Sequence, residues 1–583
     1  MKSSITACPL DCYDACGIIY DEGELKAFKN GHTQGFLCPH MNHYTAYEPI
    51  QNARYKGKEI SLEEALEKLK EILDVTPEGK MLHYRGSGNF ALMQGVTDYA
   101  FSQMGACLTD GSLCDAAGEA GIIEGRGSNK NMPLSEIANS EVVVLWGRNP
   151  HTTSSHLLPL LKDKKIIVID PLKTKVAKMA DLHIQIKPHT DIFLAMLLYR
   201  FLHIENSCDE AFLEAYASEH EEYYELTQTI RIKAILEDIG MTLGQIGDFL
   251  HYVIGKKTAI VCGVGIQKYR DGADVMRAID ALAVGLGLFA KKGSGVAYLG
   301  DSKEAITMPF ETTKAKKVSK VNTPFEQFQT VFIQGANPLS QMPDSQRVKK
   351  SIAAVENIIY FGLYENETSA VADLIIPAKT FLQKEDIRTS YSHNGMMLMH
   401  KQIESESGIS EYELAAYLAK HYDLILESEE HYLEMFKNHA VVKIDGSFEV
   451  EERQAVTPYC DGFDTDDGEF CFLEEFEVPQ KVEEGEFYLI TSKSARSLNS
   501  QFSREKNVYL HSSLGFAAGE SVRIYSNTGE VILKVALNDD LRQDCLLIYS
   551  GTQGVNNLTT AKHSYEGKNA IFQENFVRIE KIN

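Results

Sequence analysis

Four cysteines within the first forty residues constrain this chain more than any other feature. The run reads Cys8-Pro9-Leu10-Asp11-Cys12-Tyr13-Asp14-Ala15-Cys16, and Cys38 follows after a 21-residue gap. Three close thiolates can cover one face of a cubane, and a fourth returned by a short loop closes the other side. A 4Fe–4S cluster takes four thiolate ligands. Zinc is the rival, but its sites usually pair cysteines at both ends of a loop. The three-plus-one spacing here fits iron–sulfur better. The remaining unpaired thiols, Cys107, Cys208, Cys262, Cys460, Cys471 and Cys545, show no ligand spacing and read as inert.

A chain of 583 residues suggests three to five domains. Its 44% hydrophobic and 24% charged residues are ordinary for a soluble globular protein. The net charge of −24 argues against nucleic-acid binding, which wants a basic face. No apolar run approaches the length of a membrane span. The start carries neither an apolar signal core nor twin arginines, so a cytoplasmic location is expected, with cysteines kept reduced. The acidic stretch Asp461 to Glu484 reads as a solvated linker.

The middle of the chain has an α/β rhythm. Apolar runs at Glu141–Gly147, Lys165–Asp170, Leu182–Ile186 and Thr258–Gly263 read as buried strands, with helices at His156–Leu161, Asp191–Leu202 and about 273–287. A second set follows: strands at Gln329–Gly335, Asn357–Phe361 and Leu374–Ile376, with a helix at Ser345–Ala354. Strands alternating with helices imply doubly wound sheets that bind ligands at their carboxyl ends. Ser61 reads as the N-cap of an amphipathic helix to Leu73, and Gly17–Phe28 as a small hairpin. The last hundred residues are strand-rich, with an Asn527-Thr528-Gly529 turn, and read as a β-barrel-like module.

Two strand ends share a Gly-x-Asn-Pro pattern: Gly147-Arg148-Asn149-Pro150 and Gly335-Ala336-Asn337-Pro338. A glycine there lets the backbone approach a phosphate. Asp170, ending the next strand, can bind ribose hydroxyls or guanine nitrogens. The duplication suggests two equivalent nucleotide-like sites.

With these motifs the chain resembles the molybdenum/tungsten bis-molybdopterin guanine dinucleotide (bis-MGD) oxidoreductases, the dimethyl sulfoxide reductase family. Further marks are Asp170-Pro171-Leu172-Lys173-Thr174, Lys187-Pro188-His189-Thr190-Asp191, Glu367-Thr368, and Gly554-Val555-Asn556-Asn557. The resemblance implies an α/β, four-domain fold. Its parts would be an iron–sulfur domain (1–56), an α/β domain from 57–135 and 325–425, a second α/β domain (136–324), an acidic linker (426–484) and a cofactor-capping barrel (485–583). It places one dinucleotide at Gly147, Asn149, Asp170, Thr174, Gly263 and Gln267, and the other at Gly335, Asn337, Glu367 and Thr368. Asn557 would cap a pterin, and His40, two residues after Cys38, would stand between cluster and pterin. The metal ligand falls on Cys114, 33 residues before Gly147, with Ser112 and Asp115 as oxygen-ligand rivals. His393 is a candidate proton donor.

The expected activity is two-electron redox chemistry on a small substrate at molybdenum or tungsten. Electrons would pass through one 4Fe–4S cluster to a carrier protein or subunit. In the family's formate dehydrogenases His-Gly follows the ligand cysteine; Asp115-Ala116 stands here, which lowers that reading. Two alternatives remain. One is an electron-transfer or scaffold subunit like the pterin-free homologue in respiratory NADH dehydrogenases, whose usual extra cysteine clusters this sequence lacks. The other is a non-redox hydratase on the same fold.

Overall fold

The computed structural model describes residues 5–28, 33–88, 91–303, 306–393, 395–405, 407–437, 441–444, 449–452 and 457–582. One sheet has five parallel strands in the spatial order Leu182–Ile184, Lys165–Ile169, Val142–Trp146, Thr258–Cys262, Gly295–Ala297. Val142–Trp146 is buried at every position, as a strand covered on both faces requires. The helices Asp191–Ile204 and Gly272–Gly285 share its apolar core.

The second sheet runs Lys58–Ile60, Ala53–Tyr55, Leu374–Pro377, Asn357–Gly362, Thr330–Gln334, Met81–Arg85. The last four are parallel and the first two form an antiparallel edge hairpin. The helix Leu62–Asp74 packs against it through Ala65, Leu69, Ile72 and Leu73. Ser61 caps that helix in a reciprocal box: its Oγ accepts from the Glu64 amide at 3.1 Å, and its own amide donates to Glu64 Oε2 at 2.8 Å.

At the N-terminus, Ile5–Ala7, Gly17–Asp21 and Glu24–Ala27 form a small antiparallel sheet, with the expected hairpin. Six strands at the other end close into a barrel: Phe487–Ile490, Cys545–Leu547, Asn507–Leu510, Glu530–Leu537, Ser521–Tyr525 and Phe576–Lys581. Closure leaves no unpaired edge. Among the described residues, no helix is long and apolar enough to cross a membrane.

The helix expected at His156–Leu161 is present as the 3-10 helix Ser155–Leu161, tightened around Pro159, which has no amide to donate. One expectation differs from the structure: the described residues of 426–484 are anchored to the cores and not a free linker. Tyr432 and Phe436 of the helix Glu429–Lys437 enter one core, and Phe463, Phe470, Phe472 and Leu473 enter the core of the five-stranded sheet. Aromatic residues set between the acids hold the segment down. Its backbone also bonds to neighbours: the Asp464 amide donates to the Arg126 carbonyl at 2.9 Å, and the Phe470 amide to Tyr216 at 2.8 Å.

Arg126 anchors this join. Its guanidinium donates to Asp280, Nε to Oδ2 at 2.7 Å, and both side chains are fully buried. The ring of Phe289 lies 4.9 Å from the guanidinium and that of Tyr459 5.9 Å. Removing one member of such a pair strands a buried charge, at a cost of about 3–5 kcal/mol, whereas replacing both by apolar groups costs much less. Asp280→Ala is therefore expected to lower urea-unfolding stability by about 3–5 kcal/mol. The double replacement Arg126→Met/Asp280→Leu should recover most of that loss.

Candidate active site

The carboxyl ends of both sheets converge on one cavity. Gly147, Arg148 and Asn149 reach its wall from the first sheet, as do Asp170 and Gly263 from neighbouring strands. Gly86 and Gly335 reach it from the second sheet. The barrel contributes Thr491, Lys493, Gly551 and Asn556. The two central strand ends touch: a Cβ on Gly263 would lie 1.8 Å from the Gly147 carbonyl oxygen. Gly147 itself sits at φ +62°, where side chains are disfavoured. The sequence is therefore glycine where the backbone of both strands must crowd the cavity.

Charged groups line it in pairs of opposite character. Burial pushes the carboxyl of Asp170 up to about 7 and that of Asp191 to about 6. Asp191 accepts from Trp146 Nε1 at 2.7 Å, and Asp170 from the Leu172 amide at 2.8 Å. Arg148 lies 4.4 Å over the Tyr13 ring and hydrogen-bonds Ser154, yet its buried Nε has no partner among the described residues. Burial lowers the pKa of Lys268 and takes Lys320 to about 8.

Cys114 faces this cavity just before the helix Ala116–Arg126. Ser112 Oγ accepts from the Cys114 amide at 2.9 Å and donates to Asp115 Oδ1 at 3.2 Å. Ser112 and Asp115 thus occupy each other; Ser112 and Cys114 line the wall, and Asp115 does not. Burial, then Asp115 and Asp11, raise that thiol to about 12.

The four N-terminal cysteines gather beside the cavity, and all eleven cysteines of the chain are free thiols. The Cys8 amide donates to the Cys16 carbonyl at 2.8 Å, closing the loop. Burial is the main cause raising all four: Cys12 reaches about 12, and Cys16, which also feels Asp14 and the other three thiols, lies well above its ordinary value. Arg388, 1% exposed, donates to the carbonyls of Cys8, Leu10 and Cys12 at 3.2, 2.8 and 3.3 Å.

Of the other expected site residues, Gly147, Asn149, Asp170, Thr174, Gly263 and Gly335 lie on the wall. Several do not. Gln267 is a brace: its Nε2 donates to the Cys114 carbonyl at 2.8 Å and its Oε1 accepts from the Gly118 amide at 3.0 Å. Asn337, Glu367 and Thr368 bond to one another, Asn337 Nδ2 to Glu367 Oε2 at 2.8 Å and Thr368 Oγ1 to Asn337 Oδ1 at 2.8 Å. Arg504 of the barrel segment holds Glu367 at 2.7 Å. Asn557 is spent on Glu530 and Ser345, and its neighbour Asn556 lines the cavity instead. His40 is buried off the wall, and Lys493 lines it. His393 is not a cavity proton donor. Its Nδ1 accepts from the Gly395 amide at 3.1 Å and its Nε2 lies 2.8 Å from the Asp14 carbonyl oxygen, so one nitrogen serves its own turn and the other the cysteine loop.

Sequence reasoning passed over Arg388, Lys268 and Arg148. Only Arg148 carried a signal, its place inside Gly147-Arg148-Asn149-Pro150.

Residues 63–411 match the molybdopterin oxidoreductase family. The chain belongs to that family. It is 27% identical to the probable oxidoreductase YyaE of Bacillus subtilis, over 69% of this chain and 67% of that protein. It is 24% identical to the probable oxidoreductase YoaE of the same organism, over 99% and 98%. Formate dehydrogenase H of Escherichia coli is 22% identical over 69% and 66%. The fold is shared with acetylene hydratase from Pelobacter acetylenicus, at a TM-score of 0.79, 14% identity, 99% of this chain and 100% of that one. Family membership brings molybdenum or tungsten with a pterin cofactor, and the site fits such a group. Crowded glycine backbones, a buried Arg148 Nε without a partner among the described residues, buried carboxyls and a thiol facing inward meet in one place.

The raised carboxyls give a pH signature. Asp170 ionises near 3.9 when unfolded and at about 7 when folded, so its contribution to stability is full below about pH 4 and is lost as pH rises through about 7. Cofactor-free Asp170→Asn should therefore melt increasingly above the cofactor-free parent as pH goes from about 5 to about 8. A constant difference in melting temperature would refute the assignment.

Proposed function

We propose that this chain is a molybdenum- or tungsten-dependent oxidoreductase with a bis-MGD centre and one 4Fe–4S cluster. Cys114 is the protein ligand to the metal, and Cys8, Cys12, Cys16 and Cys38 hold the cluster. The observation that carries the reading is a single cavity walled by both Gly-x-Asn-Pro strand ends, with Cys114 at its wall and the four-thiol loop beside it. When bound, the metal and its pterins supply two-electron chemistry, and the cluster passes electrons singly to a carrier protein or subunit.

The chain's own residues do the rest. Asp170 accepts from the donor edge of one guanine, while Arg148 and the amides after Gly147 meet phosphate oxygens. Gly335 opens the same approach for the second dinucleotide. Ser112 and Gln267 fix the backbone on either side of the Cys114 sulfur. Lys268, with Nζ 3.2 Å from the Leu113 carbonyl, keeps a cation beside that thiolate. The small N-terminal sheet would then serve as the iron–sulfur domain, 57–135 with 325–425 and 136–324 as the two dinucleotide domains, and the barrel as their lid. A cytoplasmic setting suits the free thiols.

A non-redox hydration is the second reading, favoured by the shared fold with acetylene hydratase. A dye-linked assay against formate, nitrate and N- or S-oxides, beside an acetylene-hydration assay, separates the two. Anaerobically purified protein should contain about four iron atoms, pterin, and molybdenum or tungsten. Cys114→Ala should drop turnover to background while the cluster's visible absorption stays. Activity surviving with metal retained would remove Cys114 from its role.

A further inference from the structure

A histidine from a distant part of the chain completes the thiol pocket. His156 belongs to the 3-10 turn Ser155–Leu161, beyond the cavity strand Val142–Trp146, and is 4% exposed. Its Nδ1 lies 2.9 Å from Asp14 Oδ2 and 3.4 Å from Cys16 Sγ. Its Nε2 lies 2.9 Å from the Phe36 carbonyl oxygen. The Phe36 ring stacks on the imidazole at 4.4 Å, and Gln34 Nε2 donates to the His156 carbonyl at 2.8 Å. Three pieces of the cysteine loop therefore hold one ring in one orientation.

The donors follow from the acceptors. A carbonyl oxygen can only accept, and so can a metal-bound thiolate sulfur. Nε2 carries a hydrogen to bond Phe36, and a ligating Cys16 sulfur meets Nδ1 as an acceptor. The Nδ1 hydrogen is then shared with the Cys16 sulfur, at a distance suited to N–H···S. Hydrogen bonds to ligating sulfurs draw charge from a cluster and favour its reduced form. The turn also reaches the cavity, since Ser154, two residues away, is the hydrogen-bond partner of Arg148.

We propose that His156 is a positioning residue for the iron–sulfur centre: it donates a hydrogen bond to the Cys16 sulfur, is oriented by Asp14 and Phe36, and raises the cluster's reduction potential. This rests on the reading of Cys8, Cys12, Cys16 and Cys38 as cluster ligands. The competing use of the same atoms is a separate metal site, because Asp14, Cys16 and His156 each offer a ligand atom within 4.8 Å of the others.

The test compares the parent with His156→Phe, which keeps the stack on Phe36 but has no N–H, and His156→Gln, which keeps a weaker donor. Iron and zinc are counted, and the reduced cluster is followed by EPR in a redox titration without substrate. The expected result is full iron in each. At the parent's midpoint, the oxidised-to-reduced ratio should rise at least tenfold in His156→Phe, about 59 mV downward for a one-electron couple, and less in His156→Gln. An unchanged midpoint in His156→Phe with full iron overturns the proposal. If that variant loses iron, a lowered midpoint in His156→Gln still supports the proposal. An unchanged midpoint there, or iron loss from both, overturns it, as does stoichiometric zinc in the parent that His156→Phe abolishes. A parent without iron or EPR signal is a distinct outcome, which removes the cluster reading itself.

Discussion

Four crowded thiols, two buried and two half-buried, cannot all ionise without help, and the N-terminal part of the fold is built around that constraint. Burial holds the thiols of Cys8, Cys12, Cys16 and Cys38 toward the protonated form. Metal binding demands the thiolate form, so the proposed cluster would trade protons for metal there. The charge this leaves in a dry pocket has to be met by cations in place beforehand. Arg388 is one, buried against three loop carbonyls, and its guanidinium lowers the cost of ionising Cys8. It reaches the loop from the strand Asp386–Arg388, so the cysteine loop depends on a distant sheet.

The same economy governs the cavity. Its wall brings together carboxyls that burial holds partly protonated and lysines that burial makes less basic. Such groups are costly to keep in an apolar interior without partners. A ligand carrying both hydrogen-bond donors and phosphates satisfies both sets, which is why the polar wall and the glycine strand ends belong to one site. Membership of the molybdopterin oxidoreductase family places that ligand in context.

Much of this was legible in the sequence because it is local. Unbroken apolar runs marked the buried parallel strands, and Ser61 with Glu64 marked a helix start. Gly147 and Gly335 announced a close backbone approach at the two strand ends. What stayed hidden depends on contacts across the chain. Asn556 and Asn557 are neighbours of one type, and only packing decides which faces the cavity. His393 looked like a proton donor because nothing local reveals that Asp14 and Gly395 claim both its nitrogens. The acidic run 461–484 misled for a different reason: net charge was weighed above Phe463, Phe470 and Phe472, whose rings anchor it to the core while most of its acids stay exposed.

The second sheet carries a cost in time. Its strand Met81–Arg85 bonds to Cys107 on one side, but on the other it pairs with Thr330–Gln334, some 250 residues later. At a synthesis rate of about 5–20 residues per second, that edge waits on the order of 10–50 s on the ribosome before its mate emerges. Whatever shields nascent chains in the cell has that interval to cover.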